Sequence, residues 1–239
     1  GYHGWHDWYL SANLGGDGNL AEHLLPGLNP LGVPQNLEGS VVPFSYNDID
    51  GLTEIVNTQE IGVIKMEVSR NHGPENDFLQ KVRALATENN IVLIFDECTS
   101  GFRETFGGLH LKYGVEPDMA MFGKALGNGY AITAVIGRRE VMEAAQKTFI
   151  SSTFWTEKIG TTAALKTLEV MEKEESWKQI HSTGNSVIKN WNLIATSNGL
   201  KIKVSGLAAI ASYVFEEQDD LACKSYLTQE MLKRGFLAS

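Results

Sequence analysis

Ile91-Val-Leu-Ile-Phe-Asp-Glu97 and, downstream, Phe122-Gly-Lys-Ala-Leu-Gly-Asn-Gly129 decide how this chain is read. In the first stretch an apolar run stops abruptly at two carboxylates, Asp96 and Glu97. A second apolar run, Met119-Ala-Met-Phe122, stops at Gly123-Lys124 and a glycine-rich turn. Short apolar runs of this kind are the pattern of central parallel strands, buried on both faces. Open α/β sheets bind their ligands at the carboxyl ends of such strands. An acid and a lysine would therefore be delivered to one crevice. Taken singly, an Asp-Glu pair is often a cap or loop salt bridge and a Gly-Lys pair is common; the two together, in this order, are informative.

Working outward, Asn47-Asp-Ile-Asp50 has the form of a helix cap ahead of 52–58. Residues 61–66 read as a buried strand ending in Glu67. Apolar residues at 78, 79, 82, 85 and 86 have amphipathic helix spacing and predict a helix over 78–89. Further strands are expected at 91–95, 119–122 and 132–136, and a long amphipathic helix over 158–178. Strands at 201–204 and 209–215 and a helix over 221–237 follow. The order predicts an α/β protein with a mostly parallel central sheet flanked by helices, plus part of a smaller α+β domain. Residues 11–40, rich in Gly, Asn, Pro and Leu, show no period and read as a functional loop over the site.

A lysine and an aspartate at neighbouring strand ends suit one cofactor chemistry. Lysine forms a Schiff base with pyridoxal 5'-phosphate (PLP), and an aspartate holds the pyridinium nitrogen of that cofactor protonated. Gly123 leaves room for a flat ring beside Lys124. Glu97, one residue past Asp96, points to the other face of a strand and reads as structural. Cys98 reads as a small packing residue near the cofactor.

Phe95-Asp-Glu-Cys-Thr-Ser-Gly-Phe-Arg103 and Pro117-Asp-Met-Ala-Met-Phe-Gly-Lys-Ala-Leu-Gly-Asn-Gly129 closely resemble the class III PLP-dependent aminotransferases. Gly1-Tyr-His-Gly-Trp5 and Ser152-Thr-Phe-Trp155 resemble the glutamate-1-semialdehyde aminomutase branch of that class. The resemblance implies the PLP-dependent transferase type I fold. It implies that Lys124 carries the Schiff base and that Asp96 faces the ring nitrogen. Tyr2 would stack on the ring, His3 would contact cofactor or substrate, and Glu67, Cys98 and Thr99 would line the site. Thr153 would bind the cofactor phosphate of a neighbouring subunit, which implies a homodimer with shared active sites. The substrates would be a small-molecule amino donor and a carbonyl acceptor. An aminomutase, moving the amino group within one molecule, and a catalytically degenerate binding module are the alternatives.

The chain departs from the family pattern in three places. Val68-Ser69-Arg70-Asn71-His72 replaces the proline that usually follows Glu67, and Thr99 stands where relatives often place Gln or Met. Thr153-Phe-Trp-Thr-Glu157 sets bulky residues where the aminomutases have small ones, which points to a different substrate. The resemblance also implies that the family's whole chain is longer at the amino end, where a glycine/serine turn would grip the cofactor phosphate. The expected organisation is a large PLP-binding domain over 1–157, a connecting helix over 158–180 and a partial small domain over 181–239.

Composition excludes other classes. A net charge of −9 with no basic stripe argues against nucleic acid or an anionic membrane as partner. No apolar run approaches the ~20 residues that a bilayer requires. Two cysteines, Cys98 and Cys223, form no disulfide framework and suit a reducing cytoplasm, the expected location.

Overall fold

The computed structural model describes residues 6–16, 18–20, 29–151, 153–154, 156–216 and 219–237. A four-stranded sheet has the order β1 (Val63–Glu67), β2 (Val92–Asp96), β3 (Met119–Phe122) and β4 (Ala134–Gly137). β1, β2 and β3 run parallel, with Glu67 opposite Asp96 and Asp96 opposite Met121, so their carboxyl ends open on the same side. β4 returns antiparallel to β3, which residue periodicity alone did not indicate. The expected strand over 132–136 is shifted to Ala134–Gly137.

Alternation along β1 and β2 builds the core. Ile64, Met66, Leu93 and Phe95 are buried against α3 (Phe78–Glu88), which inserts Phe78, Leu79, Val82 and Ala86. Fully burying one such large side chain contributes roughly 1.5–3 kcal/mol, so this helix face is the main anchor of β1 and β2. α2 (Ile49–Thr58) adds Leu52 to the same core and is capped where its sequence predicts, Gly51 N donating to Asp48 Oδ1 at 2.9 Å. The other face of each strand, which carries Lys65, Glu67 and Asp96, is left for chemistry.

Asp118, immediately before β3, ties the sheet together. Its Oδ2 accepts from Leu93 N and from Arg83 of α3, and its Oδ1 accepts from Arg138 after β4, each at 2.8 Å. Burial works against its charge, but the Leu93 amide and the two guanidinium groups more than offset this and hold the carboxyl below its usual range.

The long helix expected over 158–178 is two helices, α6 (Ile159–Glu174) and α7 (Ser176–Ser197). Glu175 between them takes a left-handed conformation, φ 48°, which interrupts the helical hydrogen-bond ladder. A second sheet pairs β5 (Ile202–Ser205) antiparallel with β6 (Ser212–Phe215). Residues 209 and 210, expected to open the last strand, belong instead to a 3-10 turn, Ala208–Ile210. That turn presses on α7 at Gly184, where a Cβ would lie 2.1 Å from Ala208 O, so only glycine permits the approach. Leu207 joins the main core beside Val68 and Leu109, with Ile210 packed against it. α8 (Asp220–Lys233) closes the described chain. Ahead of α2, α1 (His6–Ser11) and a 3-10 turn at Gln35–Leu37 punctuate the predicted loop, where Tyr9, Ala12 and Leu20 form a small separate cluster. Among the described residues no helix is long and apolar enough to cross a membrane.

Candidate active site

Three adjacent parallel strands end together, and the chain's chemistry-bearing residues follow those ends. Asp96 terminates β2 and is buried, 7% exposed. Its Oδ1 accepts from the Cys98 amide at 3.1 Å, and its Oδ2 accepts from Lys65 Nζ of β1 at 2.7 Å. Burial disfavours the charged form, yet the hydrogen bond and charge of Lys65, with the Cys98 amide, hold Asp96 below the ordinary carboxylate range. The same surroundings push the Cys98 thiol the other way, up to about 11, through burial and the neighbouring Asp96 charge. A thiol held protonated is a poor nucleophile, in keeping with a packing role.

Lys124 leaves the end of β3 through Gly123 and opens a 3-10 turn, Lys124–Leu126. Its φ of 45° is left-handed, a costly conformation for a residue with a Cβ, and such outliers concentrate at functional sites. The side chain is exposed, and its Nζ donates to Thr99 Oγ1 at 2.5 Å. Gly123 packs closely beneath it: a Cβ there would sit 3.4 Å from both Cys98 Sγ and Thr133 Cγ2. Arg103 Nε donates to Thr99 O at 2.6 Å, so amine and guanidinium are anchored on the same residue. Both border a groove of about 800 Å³ between the Lys124 turn and helices α6 and α7, with Phe102, Asn128, Tyr130 and Lys166 on its walls.

Glu97 turns the opposite way, as strand alternation requires. It is fully buried, accepting from Ser100 Oγ, from His110 N at 2.9 Å and facing His110 Nδ1 at 2.8 Å. It pins the loop that carries Cys98 and Thr99. Glu67, across from Asp96, accepts from Arg70 Nη1 at 3.3 Å through Oε1. Its Oε2 is buried without a hydrogen-bond partner among the described residues, and an unsatisfied buried oxygen invites a ligand donor.

The structure thus brings together Glu67, Asp96, Cys98, Thr99 and Lys124. Tyr2 and His3 lie outside the described residues. Thr153 is exposed on the segment before α6 and does not line the groove at Lys124. Sequence reading missed Lys65, taken as part of an apolar run, although its position two residues before Glu67 puts both on one strand face. It also missed Arg103, whose signal was an arginine closing the motif that starts at Asp96.

Asp96 at the end of β2 and Lys124 in the turn after β3 lie at the same end of the sheet, and the chain belongs to the Aminotransferase class-III family, whose model matches residues 68–238. It is 32% identical over 228 residues to the 3-aminobutyryl-CoA aminotransferase of Cloacimonas acidaminovorans (strain Evry), covering 92% of this chain and 51% of that one. It is 33% identical over 237 residues to the glutamate-1-semialdehyde 2,1-aminomutase of Methanococcoides burtonii (strain DSM 6242 / NBRC 107633 / OCM 468 / ACE-M), covering 93% of this chain and 55% of that one. The chain spans about half the length of the curated relatives it matches. Among solved structures it is similar to the PLP internal aldimine form of the FumI protein of Sphingopyxis sp. MTA144, with TM-score 0.86 and 21% identity, over 100% of this chain and 56% of that one. An omega-transaminase of Sphaerobacter thermophilus gives TM-score 0.82 at 24% identity, covering 99% of this chain and 59% of that one. At these identities the structural likeness establishes the fold, the PLP-dependent transferase type I fold. It is the fold that the resemblance to the class III aminotransferases implied.

Proposed function

We propose that the protein is a PLP-dependent enzyme that moves an amino group from an amino donor to a carbonyl compound. The observation that carries this reading is the pairing at the ends of β2 and β3: a buried, ionised Asp96 and the Lys124 amine, the latter set on Gly123. The residues present fit the cofactor. Asp96 could accept the ring N–H, Gly123 adds no side chain beside it, and Lys124 is the residue that would anchor the aldehyde carbon covalently. Cys98 and Thr99 line the same loop, and the unpartnered Glu67 Oε2 offers a further acceptor. Bound there, PLP supplies an electron sink for the carbanion formed at the substrate carbon.

The chain's own contributions follow from geometry. Asp96 keeps a negative charge where a ring cation must be stabilised, in surroundings of low dielectric. Thr99 holds the Lys124 amine at the edge of the groove. With its amine free, Lys124 would take and return a proton at the reacting carbon of the substrate. The chain's relation to a glutamate-1-semialdehyde 2,1-aminomutase supports a second reading, rearrangement within one molecule through the same residues. A binding module without catalysis has less support, because it requires neither Lys124 nor Asp96.

We also assign Tyr2 to the ring face, His3 to cofactor or substrate, and Thr153 to the phosphate in a neighbouring subunit of a homodimer. Phe149, Ile150, Phe154 and Ile159, all well exposed along one stretch, support an apolar interface near Thr153. A large domain over 1–157 and a partial small domain over 181–239 are supported by the partition of strands between two sheets, whereas the stretch 158–180, expected as one connecting helix, holds α6 and the start of α7. Reduction of the loaded protein with borohydride, followed by peptide mapping, tests the assignment. A phosphopyridoxyl group on Lys124 is expected, absent from Lys124→Ala; a reduced adduct on another lysine would overturn it.

A further inference from the structure

Lys65 stands out because a lysine on the open face of a strand ordinarily extends its ammonium group to water. Here its side chain is only 24% exposed, and the ammonium is turned inward onto Asp96 Oδ2 at 2.7 Å. We propose that Lys65 is a positioning residue that shares the Asp96 carboxylate with the ring nitrogen of bound PLP and thereby loosens that nitrogen's hold on its proton. The inference rests on the function proposed above, since it concerns the partner assigned to Asp96.

A carboxylate has about four lone-pair positions. Cys98 N takes one on Oδ1, Lys65 takes one on Oδ2 and the Cys98 thiol bonds the same carboxylate, so about one position is left for a further donor. A ring N–H can therefore bind without displacing Lys65. The electrostatic consequence is that two cations share one anion. A pyridinium paired with a carboxylate alone holds its proton firmly; a second cation on that carboxylate weakens the attraction. The charged and titratable groups around Asp96 are Lys65 and its register partner Glu67 from β1, Cys98 from its own loop, and Lys124 from the turn after β3. Lys65 is the one in direct ionic contact. The arrangement also fixes the carboxylate before any cofactor arrives, because both of its oxygens are already held.

The test uses PLP labelled with 15N in the ring, bound to the purified protein. The nitrogen chemical shift is followed against pH in the wild type, Lys65→Met and Lys65→Arg, with circular dichroism to verify folding. Methionine keeps the length and removes the charge; Lys65→Gln substitutes for it if the methionine variant does not fold. The midpoint for loss of the ring proton should rise by about one unit in the neutral variants, the scale expected for removal of a neighbouring charge. Lys65→Arg should restore the wild-type midpoint, which a merely structural role would not require. Carboxyl 13C titration of Asp96 without cofactor should place its pKa higher in Lys65→Met than in the wild type. An unchanged or lower ring midpoint in both neutral variants overturns the proposal, as does an Asp96 that titrates alike in all proteins. Failure of the parent reading looks different: no cofactor is then trapped on Lys124 of the wild type, and the inference falls with it.

Discussion

Replacing Asp118 with asparagine keeps its shape and removes the charge that joins α3, β2 and the segment after β4. The side chain is 6% exposed and accepts three hydrogen bonds at 2.8 Å. Arg83 is mostly buried at 22% exposure, whereas Arg138 is 62% exposed, so solvent screens its share to about 0–1 kcal/mol. The Arg83 bond is charge-assisted and worth about 1.5–3 kcal/mol, and the amide can still accept from Leu93 N. One amide hydrogen is also forced toward a guanidinium. The expected loss is about 3 kcal/mol, which for a chain of this size lowers Tm by about 6–12 °C. Thermal unfolding of the purified protein, followed by circular dichroism, measures it. Arg138→Gln serves as internal control and should cost less than about 1 kcal/mol. The pH dependence has a defined sign. Because folding lowers the Asp118 pKa, its contribution is complete above the unfolded carboxylate value of about 3.9 and is lost as pH falls through the folded value. The gap between wild type and Asp118→Asn should therefore close on acidification. A loss below about 1 kcal/mol at neutral pH, or a gap that widens in acid, would refute the reasoning.

Two further outcomes follow from the proposed site. Asp96→Asn should retain PLP, seen by its visible absorbance, while turnover falls by several orders of magnitude, because an amide cannot hold the ring proton; near-normal turnover would show that another group fills the role. Mixing Lys124→Ala chains with an inactive Thr153 variant should restore about a quarter of wild-type activity after random exchange, since one composite site per heterodimer is intact under two-fold symmetry; no recovery after verified subunit exchange would exclude shared sites.

How much of this was legible in the sequence depended on what periodicity encodes. The apolar runs before Asp96 and Lys124 located β2 and β3, and the face of α3 was written in residues 78, 79, 82, 85 and 86. Glu97 was read correctly as structural, because strand alternation alone separates it from Asp96. Direction is not periodic, so the antiparallel return of β4 was invisible. The break at Glu175 was hidden for a related reason: a non-glycine residue in the left-handed region leaves no compositional mark. Lys65 escaped notice because a single lysine between Ile64 and Met66 was absorbed into an apolar run read as a buried strand. Only the three-dimensional register, which sets Glu67 against Asp96, shows that its ammonium group has an acid to meet.

Glu175 has a consequence for the steering of the two sheets. α6 lies against the Lys124 turn, while α7 lies against the 3-10 turn at Ala208–Ile210 and against β5. A single unbroken rod would transmit any tilt at one end directly to the other. With the ladder interrupted at one residue, the bearing of α7 relative to α6 depends on that residue's torsion angles. The floor of the groove and the second sheet can then be adjusted separately, and substitutions that re-aim α7 need not disturb the seating of Lys124.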